Sequence, residues 1–306
     1  MSSLLTNASA MTALQTLNKT NASMSQVQSR ISTGQRVATA QDNAAYWSIA
    51  TTMRSDNMAL SAVKDALGLG AATLDVQYTA MDKAKDLVND IKKNLVAARQ
   101  PGVDREKIQQ AITEAQGQLK TFADGATFNG ENWLSVNTGD PNYNATKSTV
   151  GSFTRAGGAI VIDTIDIDTT KTMLYDSAAQ GGILDKDRTL ASGGTIKVST
   201  INISALTDSA ADLTVLEETI SAVDDALTEM TDAATLLGSV KTRVDGQKSF
   251  VGALTDAIDR GVGQLVDADM NAESTRLQAL QVQQQLGIQA LSIANSSTQN
   301  ILSLFR

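Results

Sequence analysis

Two segments of this chain carry apolar side chains at alternating steps of three and four residues over about fifty positions each. From Tyr46 to Leu95, twelve of the fifteen positions on this path are apolar, and from Leu213 to Leu265 thirteen of sixteen are. Hydrophobic residues make up 42% of the chain, so chance would fill fewer than half of these positions. A sustained repeat of this kind is typical of a coiled coil. It predicts two helices of more than fifty residues, each about 80 Å long.

A break and a third, shorter helix are predicted between the two long ones. Pro101 and Gly102 end the first helix, and Asp104 is placed to cap the next. An amphipathic face then continues to about Ala123, so we expect three helices to share one elongated core. The residues of that face are Ile108, Ile112, Ala115, Leu119 and Phe122.

Both ends of the chain are nearly uncharged. Residues 1–41 and 274–306 contain no Asp or Glu, so all 33 acidic residues lie in 42–273. Repeated like charges repel wherever many copies pack side by side, and neutral ends avoid that repulsion. On composition alone, two disordered tails are the alternative interpretation.

Apolar stripes on these ends predict packing surfaces. The N-terminal stripe ends at Gly34, and a slip of register across 267–269 separates the C-terminal stripes from the preceding long helix. We expect one C-terminal stripe to meet the N-terminal helix and a second to face neighbouring molecules, so that these helices fold only on assembly. The N-terminal stripe is Leu14, Leu17, Met24, Val27 and Ile31, the first C-terminal stripe is Leu277, Leu280, Leu291, Ala294, Ile301 and Phe305, and the second is Val282, Leu286, Ala290, Ile293 and Leu304.

The middle of the chain has a different character. From about Thr127 to Asp208 it is rich in Gly, Asn and Thr, with short alternating runs at 159–168 and 195–203. Such runs indicate strands. The predicted fold is therefore mainly α, with an elongated antiparallel coiled-coil rod formed by both chain ends and a small β-rich insertion between them.

The composition excludes several kinds of chemistry. The chain has no Cys and no His, and therefore no disulfide, thiol nucleophile, imidazole base or site that needs these ligands. Its net charge of −8 argues against nucleic acid as a partner. No apolar run reaches the roughly 18 residues that a membrane span needs. We expect no catalytic residue, no cofactor, no metal and no membrane insertion.

Three stretches of the sequence resemble the signature segments of bacterial flagellins. They are SRISTGQRVATAQDNAA at 29–45, Phe128-Asn-Gly130, and 267–306 with QVQQQL at 281–286 and LSIAN at 291–295. The run AYWSIATTMR at 45–54 is similar to flagellins of rhizobia and related alphaproteobacteria. The resemblance covers roughly 1–135 and 210–306, and the middle carries none.

This resemblance implies a structural subunit, not an enzyme, that polymerises into the flagellar filament for swimming. It implies export in unfolded form by the flagellar type III system without a cleaved signal, and an extracellular location. The implied partners are further copies of the chain and sibling flagellins, the export apparatus and its chaperone, the filament cap and the hook-junction proteins. The implied domains are 1–42 with 266–306 as the filament core, 43–135 with 210–265 as a helical rod with a β-hairpin region, and 136–209 as a variable surface insertion.

Two segments match positions that immune receptors read in flagellins. Gln41 and Asn43 replace a usual Lys and Asp in the plant-receptor segment, and Lys83 replaces an Arg in the animal Toll-like receptor face. The loss of charge complementarity at Gln41 and Asn43 predicts weak recognition by the plant receptor. Lys83 lacks the planar guanidinium group of an arginine, which predicts weak recognition by the animal receptor. The matching positions are Arg30, Gln41, Asp42, Asn43, Tyr46 and Trp47 for the plant receptor, and Lys83, Leu87 and Asp90 for the animal receptor.

Two other functions stay open at this point. A hook–filament junction protein would share the terminal helices but form only a thin ring, and copy number in sheared filaments separates the two. An enzyme or adhesin could also be housed in 136–209. The absence of His excludes a zinc-peptidase motif there, whereas residue type does not exclude a carboxylate-pair glycosidase.

Overall fold

The computed structural model describes residues 7–156 and 159–304, except for the side chains of Ala156 and 297–304. These residues form two compact units. The first contains the described residues up to Met58 and from Thr255 onward, and the second is Ala59–Leu254.

Five α-helices account for most of the described residues, and both predicted long helices are among them. Gly34 ends the first helix in the left-handed conformation (φ 70°), as a helix C-terminus favours. Asp104 caps the third, because its Oδ1 accepts a hydrogen bond from the Lys107 amide at 3.3 Å. The predicted joint across 267–269 also separates two helices. The helices are α1 Ala8–Thr33, α2 Ala44–Ala98, α3 Arg105–Gly125, α4 Ala210–Val266 and α5 Met270–Leu304.

The strands of the described residues are short and form four two-stranded sheets. β1 and β2 make a tight antiparallel hairpin around Asn129 and Gly130, which both have positive φ (50° and 82°). The longest pair is β4 with β5, antiparallel, with a bulge between Val150 and Ser152. The strands are β1 Thr127–Phe128, β2 Glu131–Asn132, β3 Ser135–Val136, β4 Thr146–Ala156, β5 Ala159–Asp168, β6 Tyr175–Asp176, β7 Arg188–Thr189 and β8 Thr195–Ile196.

In the second unit, α2, α3 and α4 each contribute fully buried apolar side chains. Ion pairs show that α2 and α4 run antiparallel in constant register: Lys92 Nζ lies 2.5 Å from Asp224 Oδ1, and Arg99 Nη2 lies 2.6 Å from Glu217 Oε1. The predicted path therefore describes a real core. Its fully buried members are Leu67, Leu74, Met81, Val88, Ile91 and Leu95 on α2, Ile112 and Leu119 on α3, and Leu216, Val223, Met230, Leu237 and Val244 on α4.

Two parts of the predicted helix faces are wrong. Phe122 is 40% exposed, and the neighbouring Ala123 is buried in its place, because the α3 face turns by one residue before the helix ends. At the start of α2, Tyr46 and Ile49 are exposed. In the first unit the buried cluster starts instead at Ala50, which packs with Val262 and Val266 of α4.

The predicted strand over 195–203 is mostly wrong. Only Thr195–Ile196 is a strand, and a 3₁₀ turn follows at Val198–Thr200. The backbone there bonds to side chains of α3: Gln109 Nε2 donates to the Ile201 carbonyl at 3.0 Å, and Gln116 Nε2 donates to the Val198 carbonyl at 3.0 Å. The hydrogen-bonding partners of this backbone are therefore glutamine side chains, not the neighbouring strand that the alternating pattern suggested.

The insertion is fastened to α4 by charged side chains. Glu229 Oε2 of α4 lies 2.7 Å from Lys186 Nζ and 3.0 Å from Arg188 Nη2. The two hydrogen-bonded cations lower the pKa of Glu229 despite the opposing effect of its partial burial. This cluster positions the segment that precedes β7.

Candidate functional site

The linkers that precede α2 and α5 bond to each other in the first unit. Gln35 and Asp267 form an antiparallel bridge. The Arg36 amide donates to the Val266 carbonyl at 2.6 Å, and the Ala268 amide donates to the Gly34 carbonyl at 2.9 Å. These bonds fix where α1 and α5 begin to run side by side.

Side-chain hydrogen bonds join α1 and α5 along their length. The Asn7 Nδ2 donates to the Ala294 carbonyl at 3.0 Å, and the Gln284 Nε2 donates to Asn21 Oδ1 at 2.8 Å. The order of these pairs shows that the helices are antiparallel. Neutral amides carry these contacts, as the uncharged sequence of both ends dictates.

One ion pair closes the helix pair near the linkers. Arg30 Nη1 lies 3.1 Å from Glu273 Oε1, with both side chains mostly buried. Glu273 lies in the first turn of α5, where the positive end of the helix dipole favours a carboxylate. Position 30 was singled out in the sequence only as a receptor-epitope position, and its partner is far away in the chain.

Seven of the predicted stripe residues larger than alanine are buried or partly buried, as expected for the side where α1 and α5 meet. The Leu17 side chain packs directly on Gly287 of α5. A Cβ at position 287 would lie only 3.3 Å from Leu17 Cδ1, so the absence of a side chain there makes room for the leucine. Val27 is buried and the others are partly buried in the single chain. These residues are Leu17, Met24, Val27 and Ile31 on α1, and Leu277, Leu280 and Leu291 on α5.

Other apolar residues of the two helices face away from this contact. Leu14, Leu286 and Ile293 of the predicted stripes are 49%, 58% and 68% exposed. Met11 and Ile288 are similarly exposed and were not predicted. Met11 could have been found from its spacing of three from Leu14, whereas Ile288 lies off both C-terminal stripes. The Ile301 side chain and Phe305 lie outside the described residues.

The segment that links α1 to α2 contains most of the plant-receptor positions. The Asp42 carboxylate accepts hydrogen bonds from the Thr39 amide at 3.0 Å and the Thr39 hydroxyl at 3.1 Å. These bonds are the main reason why the pKa of Asp42 is lowered. Asn43 caps α2 by accepting from the Tyr46 amide at 3.1 Å. Gln41, Tyr46 and Trp47 are exposed.

The animal-receptor positions lie in the second unit, on α2. Lys83 and Asp90 are exposed, and Leu87 is partly buried. Asp90 Oδ1 is 2.8 Å from Lys93 Nζ, and Lys83 Nζ is 3.8 Å from Asp86 Oδ2. Local ion pairs within α2 therefore occupy both charged positions.

The described residues contain neither a metal-binding cluster nor a membrane-spanning helix. They contain no group of three or more acidic side chains arranged to hold a metal ion. None of the helices in the described ranges combines the length and hydropathy of a bilayer span.

Comparison with known proteins gives the family. The model of the bacterial flagellin N-terminal helical region matches residues 4–138, and that of the C-terminal helical region matches 220–305. Over the full length of both proteins, the chain is 48% identical to Flagellin C and 44% identical to Flagellin A of Rhizobium meliloti (strain 1021). It is 45% identical, again over both full lengths, to the flagellin of Brucella melitensis biotype 1.

A solved structure of a putative flagellar hook-associated protein from Vibrio parahaemolyticus is also similar. It covers 74% of this chain and 100% of its own, with a TM-score of 0.48 and 17% identity, which is too low to bear on function. The relatives that match at full length are named flagellins, which favours a filament subunit over a junction protein. The chain belongs to the bacterial flagellin family, and it is a structural subunit of the flagellar filament.

Proposed function

We propose that the pair formed by α1 and α5 is the element through which copies of this subunit polymerise. The single observation that carries the proposal is the exposure of Leu14, Leu286 and Ile293, each about half exposed or more, on two helices that lack acidic residues over most of their length. Apolar side chains exposed in a row mark interaction surfaces. In a filament, neighbouring copies would bury them without electrostatic repulsion.

The partly buried stripe has a different role in this proposal. Leu17, Met24, Val27, Ile31, Leu277, Leu280 and Leu291 hold α1 against α5, and the outward residues contact other copies. Ile301 and Phe305 are proposed to extend the surface toward the end of α5. The packing of Leu17 at Gly287 supports the first role.

Deletion of both ends tests whether they are needed. Full-length protein and a chain lacking 1–41 and 274–306 receive ammonium sulfate, which strengthens apolar burial, and are examined by negative-stain electron microscopy. Only the full-length chain should form long filaments. Filaments from the shortened chain would overturn the proposal.

Point variants separate the outward surface from the inward one. Leu286→Ser and Ile293→Ser should prevent filament growth while leaving the circular dichroism of the monomer unchanged, because both side chains are already exposed in the single chain. Gln285→Ser is the matched control, since it changes an exposed polar residue of the same helix. Normal growth by both apolar variants would contradict the assignment.

We also propose the layering of the subunit within the filament. Residues 1–42 with 266–306 form the inner core, 43–135 with 210–265 form the surrounding helical layer, and 136–209 faces outward. The confinement of all 33 acidic residues to 42–273 supports this order. Because the chain has no Cys, a Ser204→Cys variant offers one labelling site. Maleimide should label it on intact cells, and its protection would contradict an outward insertion.

The proposed location is extracellular, after export in unfolded form by the flagellar type III apparatus with its chaperone. The filament cap and the hook-junction proteins are proposed partners at the two filament ends, and sibling flagellins are proposed to join mixed filaments. The absence of Cys supports this route, because no disulfide has to form or break during passage. Loss of the subunit from the culture medium and cell surface in an export-deficient strain is the expected result.

Weak immune recognition is proposed for the two receptor segments. Arg30 is held by Glu273 and Asp42 by Thr39, which restricts both side chains for a receptor that reads this segment. At the second segment, Asp90 is paired with Lys93. Reporter cells for the animal receptor and seedlings for the plant receptor should respond less than to an enteric flagellin. Equal potency in either assay contradicts that half of the proposal.

A further inference from the structure

The apolar path of α2 continues past the end of the helix that covers it. Ala50, which is 2% exposed, packs against Val262 and Val266, and α4 ends at Val266. One turn closer to the start of α2, Tyr46 lies on the same path but is 41% exposed. The first turn of α2 is therefore only partly covered by its own chain.

Two further large side chains flank Tyr46. Trp47 is 38% exposed and Ile49 is 49% exposed. Because a helix turns by about 100° per residue, these two side chains lie on either side of Tyr46. The three residues together form a surface that we call the α2 entry patch. Aromatic side chains bury large areas when they find a partner, so this patch gains much from being covered.

The α2 entry patch lies in an uncharged stretch of the chain. Residues 43–53 contain no Lys, Arg, Asp or Glu, and the charged residues that border this range are Asp42 and Arg54. The Asp42 carboxylate is engaged by Thr39. A charged side chain that packed on the patch would lose hydration without gaining an ion pair from it. An uncharged, apolar partner is therefore favoured.

The helix α5 carries such a surface in the same unit. Val282, Leu286 and Ile293 are 55%, 58% and 68% exposed, and their steps of four and seven residues place them on one side of the helix. Residues 277–305 contain no charged side chain. No other helix of the described residues has three exposed large apolar side chains at such steps. We call these three residues the outward stripe of α5.

We propose that, in the filament, the outward stripe of α5 in one copy packs on the α2 entry patch of a neighbouring copy. The neighbour's helix takes up the apolar path of α2 where α4 ends, and so extends a helix–helix contact of the coiled-coil kind. A second copy is the occupant because the chain is a filament subunit and its two uncovered helix surfaces match in spacing and in their lack of charge. A contact between two different surfaces of one chain repeats along a helical assembly without closing on itself.

This inference rests on the proposal that α1 and α5 drive polymerisation, and it deepens that proposal. It names the surface that the outward side chains of α5 contact. It also gives the first turn of α2, which lies outside both terminal helices, a part in the contact between copies.

Trp47 gives a direct readout because the chain has only one other tryptophan. When wild-type monomer polymerises, the tryptophan emission should shift to shorter wavelengths and its quenching by acrylamide should fall severalfold, since Trp47 leaves water. The Trp47→Phe protein retains only Trp133, which is 5% exposed, and should show neither change. Wild-type filaments in which Trp47 stays as accessible as in the monomer would overturn the proposal.

Cross-linking identifies the partner of the patch, because the natural chain contains no Cys. Ser48 lies beside the patch and Gln289 lies on the side of the outward stripe, and both are exposed polar residues. Filaments of the double variant Ser48→Cys with Gln289→Cys are treated with a short bismaleimide and run on a denaturing gel. Each copy carries both halves of the contact, so a ladder of dimers and larger multimers is expected. Dispersed monomer of the same variant should give no ladder.

A matched pair and a single variant complete the cross-linking test. Gln281 is another exposed glutamine of α5, but it lies about 120° around the helix from the outward stripe. Ser48→Cys with Gln281→Cys should therefore give at most a weak ladder. An equally strong ladder from this pair, or intact filaments of the Gln289 pair without a ladder, would overturn the proposal. A dimer from Ser48→Cys alone would also overturn it, because two patches would then face each other.

Filament stability gives an independent readout. Trp47→Ser with Ile49→Ser should raise the monomer concentration in equilibrium with filaments at least about tenfold, because two apolar side chains lose their burial. Circular dichroism of this monomer should match the wild type. Val96 is an apolar side chain of the same helix that is 54% exposed and outside the patch. Val96→Ser should change the monomer concentration by no more than about twofold, and an unchanged concentration in the double variant would contradict the docking.

Failure of this proposal differs from failure of the one on which it rests. If the terminal helices do not drive growth, the chain without both ends forms filaments, and Leu286→Ser and Ile293→Ser grow normally. If only the docking on the α2 entry patch is wrong, those two variants still fail to grow, whereas Trp47 stays accessible in wild-type filaments and the Gln289 pair gives no ladder.

Discussion

Gln77 lies on the apolar path of α2 and is fully buried. Its Nε2 donates to the Ala126 carbonyl at 2.8 Å, and its Oε1 accepts from the Trp133 amide at 3.4 Å. One polar residue therefore satisfies two backbone groups at either side of the β1–β2 hairpin. Its position on the path was visible in the sequence, and the resemblance implied a β-hairpin region, but the sequence did not show that this side chain bonds to the backbone on both sides of the hairpin.

Replacing Gln77 with Leu should reduce stability although it completes the apolar path. The Ala126 carbonyl and the Trp133 amide would lose their partner while remaining buried, and each such loss costs about 1–3 kcal/mol. We expect a net loss of about 1–3 kcal/mol after the gain in apolar burial. Urea unfolding of the monomer, followed by circular dichroism, measures it. Gln118→Leu at an exposed site of α3 is the control, and a more stable Gln77→Leu protein would contradict the prediction.

Asp176 is a buried carboxylate surrounded by donors. The Thr138 hydroxyl donates to it at 2.7 Å, and the Thr138 and Ala178 amides donate at 3.0 and 3.1 Å. Burial alone would raise the pKa of Asp176, but these bonds and one from the Gly181 amide outweigh it and lower the pKa. The ionised form therefore holds the loop after β6 against the segment after β3.

The pH dependence of this contribution has a definite sign. Because the folded-state pKa of Asp176 lies below the ordinary value of about 3.9, its contribution is complete above that value and is lost as the pH falls through the folded pKa. Asp176→Asn should therefore lower the urea midpoint at pH 7 and lower it less at pH 3. Asp225→Asn, on the exposed side of α4, should lower it at neither pH. An equal deficit for Asp176→Asn at both pH values would contradict the prediction.

At the scale of elements, close packing of the hairpin on a helix depends on Gly70. A Cβ at Gly70 would lie 2.3 Å from the Thr149 Oγ1 of β4. Glycine inside a helix normally costs about 1 kcal/mol relative to alanine. At position 70 the close approach of β4 leaves no room for a larger residue and so accounts for the glycine. Gly246 of α4 has no atom within 4 Å of the corresponding position.

The same substitution should therefore have opposite effects in the two helices. Gly70→Ala should destabilise the monomer by about 1–3 kcal/mol because the Thr149 side chain of β4 must shift to make room for the methyl group. Gly246→Ala should stabilise it by about 0.5–1 kcal/mol through helix propensity. Chemical denaturation measures both. Combining Gly70→Ala with Thr149→Ala should recover part of the loss, and strict additivity of the two changes would argue against the clash.

For the molecule as a whole, burial is distributed unequally between the two units. Two side chains of α1 are buried, Thr20 and Val27. Over residues 270–296 of α5, only the Glu273 side chain is buried. The second unit has a continuous set of fully buried apolar residues on three helices. Few buried apolar contacts mean easy local opening.

Hydrogen exchange should reveal this difference. In the monomer, amides of α1 and α5 should exchange much faster than those of α2, α3 and α4 within 59–254. In filaments the terminal amides should become protected if neighbouring copies cover them. Mass spectrometry of peptides from monomer and filament provides the comparison. Equal protection of α1 and α5 in both states would contradict folding on assembly.

Local patterns in the sequence determined most of the helical framework. The apolar path from Leu60 to Leu95, the Pro101–Gly102 break, the Asp104 cap and the joint across 267–269 depend on short-range propensity and periodicity, and the structure contains all of them. The neutral ends and their apolar stripes were also readable, because charge and spacing are properties of the chain itself.

Tertiary structure alone decided which partner each residue found. Gln109 and Gln116 bond to the backbone over 198–203, where no second strand pairs with it among the described residues. Arg30 likewise pairs with Glu273, which is far away in the chain. The exposure of Ile160 and Ile162 was equally hidden, since an alternating run reads the same whether or not its face is covered. These outcomes depend on contacts between distant segments, whereas periodicity reports only which side chains share a face.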